Sequence, residues 1–172
     1  MPAITFIFNP EKALEAILYA ARIAPIKDVY HVLKILYFAD KAHLEQYGRF
    51  IFGDSYVAMS HGPVPSGAYD IIKYVRNRNT VISFEPAKSA FSISGDFIEL
   101  HREPNLELLS KSDIKCIDDA NKKYGHLPFG RLKSKSHDLA YKNADKNDFI
   151  SIENIASTLK DGDLIIDHLN AQ

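Results

Sequence analysis

The chain of 172 residues carries 21 Lys plus Arg against 22 Asp plus Glu, a net charge of -1, with 46% apolar residues. That length and apolar content suit one domain, residues 1–172, with a continuous core, and the balanced charge excludes a strong overall field towards nucleic acid or an anionic membrane. A single cysteine, Cys116, excludes an internal disulfide and points to a reducing, cytoplasmic compartment, while no apolar run approaches the length of a signal peptide core or a membrane span.

In chain order, Asn9-Pro10-Glu11 opens the first helix with a capping side chain, a first-turn proline and an acid near the positive end of the dipole. This helix runs to about Ile23, with Leu14, Ile17, Leu18 and Ala21 facing the core. After Pro25, Asp28 caps a second helix whose stripe of Val32, Leu36, Ala39 and His43 lies beside Leu33, Tyr37, Asp40 and Leu44. It closes near Tyr47-Gly48, where glycine can turn left-handed. Phe50 to Met59 reads as an extended connector, and His61-Gly62-Pro63-Val64-Pro65-Ser66 as a stiff turn into a third helix bearing Tyr69, Ile72 and Val75.

The period then changes to two over Val81 to Phe84, Ala90 to Ile93 and Phe97 to Leu100, which predicts a small antiparallel hairpin or three-stranded meander around Ser94-Gly95-Asp96. Ser110-Lys111-Ser112-Asp113 resembles a capping box before a helix with Ile114, Ile117, Ala120 and Tyr124, ending at Gly125. A further helical segment spans Phe129 to His137. Ser151 caps a short helix ending at Asp161-Gly162, and Leu164 to Leu169 form a last turn or two. The fold class is therefore mainly α with a small antiparallel β element.

Three runs carry a resemblance: Lys34-Ile35-Leu36-Tyr37-Phe38-Ala39-Asp40-Lys41-Ala42-His43-Leu44, then Tyr47-Gly48-Arg49, then Ala58 to Asp70 including Gly62-Pro63-Val64-Pro65. With a looser second block, Tyr124-Gly125-His126-Leu127 and Ser136-His137-Asp138-Leu139-Ala140-Tyr141, this order resembles the Panacea domain of SocA-like antitoxins over about residues 12 to 145. The tryptophans that family members often carry near these blocks are replaced here by Ser60 and Tyr141. The resemblance implies a helical fold with a small β element, a neighbouring toxin as partner, such as a small-alarmone-synthetase-like enzyme, and in SocA-like members delivery to an ATP-dependent protease.

The residues also allow other readings. Asp40 and His43 share a helix face and could join His61 and His137 in an acid–base or metal site, but the spacing matches no ligand signature, and capping, turn and buried hydrogen bonds are the favoured explanation. No cofactor and no metal are expected. His31 and Lys34 read as a solvated helix edge, and Cys116 as a buried structural thiol. Lys73, Arg76, Arg78, Lys122, Lys123, Arg131, Lys133 and Lys135 could form a basic patch, but with Asp118 and Asp119 nearby and a balanced total charge they read as solvated helix faces; DNA binding has neither a clear helix-turn-helix nor a positive net charge in its support. The expected partner-binding surface is the edge His61, Gly62, Pro63, Val64, Pro65 and Ser66, with Tyr69, Asp70 and Lys73 on the following helix selecting the partner.

Overall fold

The computed structural model describes residues 3–77 and 82–172. Helix α1, Pro10–Ile23, begins where the Asn9 side chain accepts from the Lys12 N–H, and α2, Val29–Tyr47, where Asp28 accepts from His31 N–H. Gly48 closes α2 at φ 75°, a left-handed cap that removes the steric penalty a Cβ would bring. Leu14, Ile17, Leu18 and Ala21 of α1 are buried as their spacing predicts. Helix α2 is buried on nearly every side: Val32, Leu33, Ile35, Leu36, Tyr37, Phe38 and Ala39 all lie in the core. Each large side chain removed from water there contributes roughly 1.5–3 kcal/mol.

The extended connector contains strand β1, Tyr56–Met59, and the expected stiff turn is instead a second strand, β2, Gly62–Pro65, leading directly into α3, Ser66–Val75. The strands pair antiparallel, with Met59 opposite Gly62 and Val57 opposite Val64, so the true turn is Ser60-His61. Prolines at alternate positions are compatible with a strand at a sheet edge, where their missing N–H groups face away from the ladder. Ala58 makes its backbone bonds on the other side, with Asp148 and Asn147, which leaves Val57 and Met59 to serve β2.

Helix α4, Glu85–Ala90, precedes the hairpin β3, Phe91–Ser94, and β4, Phe97–Leu100. A three-stranded meander does not form among the described residues: Val81 lies outside them, and 82–84 have no regular structure before α4. Pro86 in the first turn of α4 favours helix, and Ala87 and Ala90 bury its inner side. The hairpin docks on the link between α1 and α2, where Val29 N–H donates to Asp96 O and Ile98 N–H to Lys27 O, each at 2.8 Å.

Helix α5, Lys111–Tyr124, has the full Ser110/Asp113 capping box and packs along α2. Helices α6, Phe129–Ser136, and α7, Leu139–Lys142, follow, and strand β5, Phe149–Ile150, adds to β1 in the order β2-β1-β5. Ser151 caps α8, but that helix is only Ile152–Ser157; Asp161-Gly162 opens α9, Gly162–Asn170, rather than closing α8. Among the described residues, no helix is long and apolar enough to cross a membrane.

Candidate functional site

The polar residues of the first motif turn inwards and join distant segments. Asp40 accepts from Ile51 N–H at 2.7 Å and from Tyr56 OH at 2.6 Å. Burial pushes its carboxyl up to about 7 despite those donors. His43 meets Arg49 O through Nδ1 at 2.9 Å, and Ser112 Oγ and Asp113 Oδ1 through Nε2 at 2.9 and 3.2 Å. Tyr37 OH and Lys41 Nζ both donate to Asp138 Oδ2, at 2.6 and 2.8 Å, while Asp138 Oδ1 caps α7 through Tyr141 N–H. The two sequence blocks are thus parts of one hydrogen-bonded frame.

Asp40, His43, His61 and His137 are not brought together as a ligand set. Asp40 and His43 serve separate networks, and among the described residues no three His, Cys, Asp or Glu side chains are grouped to hold a metal. Cys116 is buried in α5, and burial followed by the charge of Asp119 pushes its thiol up to about 11, so it stays protonated at neutral pH.

His31 and Lys34 are not a solvated edge: they are 3% and 1% exposed. The reason is that α2 is wrapped by α5, α6 and β2, which leaves it no wet side at these positions. Lys34 Nζ donates to Pro63 O at 2.6 Å, and burial brings its ammonium down to about 7. His31 Nδ1 lies 2.8 Å from Asp28 Oδ1 and Nε2 lies 2.7 Å from Leu127 O. Two acceptors favour the imidazolium, so the His31 pKa is raised although burial alone acts to lower it. Its contribution is therefore complete below the ordinary value of 6.5 and is lost as pH rises through the raised value. Urea unfolding of the wild type and His31→Gln at pH 6 and pH 8.5 should show the difference between them shrinking at the higher pH.

The expected binding edge is a strand with a surface tip. His61 is exposed, Val64, Ser66, Tyr69, Asp70 and Lys73 are half-buried, and Gly62, Pro63 and Pro65 are buried, so these last three shape the backbone without offering side chains. Lys73 Nζ lies 3.0 Å from Asp70 Oδ1 and 5.0 Å from the Tyr69 ring centre, which makes those three one cluster on α3. Beside it an open groove of about 490 Å³ runs between α2, the hairpin tip, α3 and α6, walled by Tyr30, Leu33, Val64, Tyr69 and Phe129. Phe129 is 45% exposed, with its ring centre 4.5 Å from that of Tyr30 and 5.3 Å from that of His61. Sequence reasoning missed Tyr30 and Phe129 as surface residues, because only the meeting of α2 with α6 places them beside His61.

The basic residues divide into paired and solvent-facing ones. Lys73 pairs with Asp70 and Arg76 with Asp96, Arg78 lies outside the described residues, and Lys122, Lys123, Arg131 and Lys135 are exposed on helix surfaces.

A mainly helical scaffold with a small antiparallel sheet, whose motif side chains lock its elements to each other, is the class of protein that this geometry defines. The chain belongs to the SocA-like antitoxin family: the family model described as "Antitoxin SocA-like, Panacea domain" matches residues 32–142, from the first turn of α2 to the last residue of α7. That membership supports a general antitoxin role. No curated protein and no solved structure matches the chain.

Proposed function

We propose that this chain neutralises a toxic protein by binding it directly, using the tip and outer side of the β1–β2 hairpin, the Tyr69, Asp70 and Lys73 cluster, and the groove beside them. The observation that carries this reading is the groove itself: it is open and aromatic-walled, and it adjoins a strand whose two prolines have fixed φ angles. Aromatic side chains on a stiff backbone bury large areas with little loss of conformational freedom. The partner implied by the family is a toxin encoded beside this chain, with small-alarmone-synthetase-like enzymes as the target class. Direct inhibition requires only this one interface, whereas delivery of the toxin to an ATP-dependent protease requires a second. Toxin activity falling while toxin abundance holds is the outcome expected of direct inhibition.

The test is co-purification with the neighbouring toxin, followed by affinity and thermal stability for Tyr69→Ala, Asp70→Ala and Lys73→Ala. Tyr69→Ala is expected to weaken binding by about 2 kcal/mol, roughly thirtyfold, with a smaller change in folding stability. Native affinity in all three variants would move the interface elsewhere.

A further inference from the structure

Three successive alternate carbonyls at the tip of the β1–β2 hairpin are each held by a side chain from a helix behind it. Tyr141 OH of α7 donates to Met59 O at 2.7 Å, Tyr30 OH of α2 to His61 O at 2.9 Å, and Lys34 Nζ of α2 to Pro63 O at 2.6 Å. Tyr30 and Lys34 stand one helical turn apart, so one face of α2 supplies two of the three donors. The Lys34 ammonium also lies 4.9 Å from the Tyr30 ring centre, which couples the two side chains. Tyr141 belongs to the short helix capped by Asp138, and Asp138 is in turn held by Tyr37 and Lys41 of α2.

A two-residue turn on an edge strand has little to keep it in one place. β2 is an edge strand of only four residues, and its register turns only Gly62 and Val64 towards β1. Backbone pairing alone therefore leaves the tip under-determined, and an isolated two-stranded hairpin is marginal in water. The Lys34–Pro63 bond is buried, so the carbonyl needs a partner inside the protein, and a lysine is an expensive one because its amine must be desolvated. Its placement is explained by what it holds. We propose that Tyr30, Lys34 and Tyr141 are positioning residues for toxin recognition: together they clamp the hairpin tip from behind and preorganise the edge that meets the partner. This rests on the functional reading above and adds the residues that keep its surface in binding shape.

The clamp has a readout that does not involve the partner. In Tyr30→Phe, Tyr141→Phe and Lys34→Met, amide hydrogen exchange at Gly62 and Val64 is expected to quicken about fivefold or more, while Ile93 and Ile98 of the β3–β4 hairpin keep wild-type rates. Affinity for the toxin from the neighbouring reading frame should fall about fivefold in each tyrosine variant and about tenfold or more in Lys34→Met, with Lys34→Arg recovering part of the loss. If Lys34→Met does not fold, the two phenylalanine variants decide, because each removes a single oxygen. Unchanged exchange at Gly62 and Val64, or faster exchange with wild-type affinity, overturns the proposal. The controls separate the two levels of inference: a wild-type chain that does not bind the toxin sinks the functional reading, whereas normal wild-type binding, weakened by Tyr69→Ala but not by the clamp variants, sinks the clamp alone.

Discussion

Asp113→Ala is expected to destabilise the fold by about 3 kcal/mol, the loss seen when one member of a buried ionic network is removed and its partners stay behind. Asp113 is 0% exposed and accepts from Lys12 Nζ at 2.8 Å, Arg49 Nη2 at 3.1 Å and Ser110 N–H at 2.8 Å, with His43 Nε2 at 3.2 Å. The carboxylate thus ties α1, α2 and the segment after α2 to the start of α5. Burial acts to raise its pKa, but the hydrogen bonds from His43, Lys12 and Ser110 outweigh it and hold the carboxyl well below the usual range. A depressed carboxylate stabilises the fold above its unfolded value of 3.8, and that contribution disappears as pH falls below it. Denaturant unfolding at pH 7 should therefore show the full loss, and the acid limb of Asp113→Ala should be flatter than that of the wild type. Equal stability of the two proteins at pH 7 would show that Lys12, His43 and Arg49 find water or other partners without difficulty.

Gly62→Ala should be nearly as damaging, by about 2–4 kcal/mol, and for a reason of shape. Gly62 has φ 119°, where a side chain is strained at any size, and a Cβ there would lie 2.5 Å from Ser136 Oγ and 3.1 Å from Lys34 Cε. The backbone lies close to α2 and α6 at the point where Lys34 bonds the next carbonyl. Pairing Gly62→Ala with Ser136→Ala relieves the hydroxyl contact but not the backbone strain, so the double variant should regain only part of the stability. Thermal unfolding of the two single variants and the double reads both terms, and full recovery would mean that φ contributes nothing.

The outcome for α2 shows what local pattern can and cannot carry. Asp28 and Gly48 mark its ends through chemistry that lies within a turn of each end, and the apolar stripe of Val32, Leu36 and Ala39 is set by helical period. The fate of Lys34 depends on Pro63, and that of Tyr37 on Asp138, contacts between residues far apart in the chain. A hint was present: Lys34 interrupts the run Val32-Leu33-Lys34-Ile35-Leu36, and a helix apolar all round is a buried one. Nothing comparable marks Phe129 as a neighbour of His61.

The β elements divide in the same way. Phe91–Ser94 and Phe97–Leu100 alternate around a glycine turn, a pattern complete within the hairpin itself. His61 to Ser66 reads as a turn because proline and glycine punctuate most chains, and the pairing of Gly62–Pro65 with β1 shows only when both strands are in place. The two residues of β5 are too few to leave a pattern at all.

By itself the sequence determined the caps of α1, α2 and α5 and the start of α8, the apolar faces, the β3–β4 hairpin and, through its ordered motifs, the family, since each depends on residues close together or on their order along the chain. Only the tertiary structure decided that the motif's Asp40 and His43 fasten the frame, that Lys34 lies under the hairpin tip, and that Tyr30, His61, Tyr69 and Phe129 line or rim one groove. Those are meetings between separate elements, and the free energy that selects them comes from burying whole helix faces against each other, which no local window of residues contains.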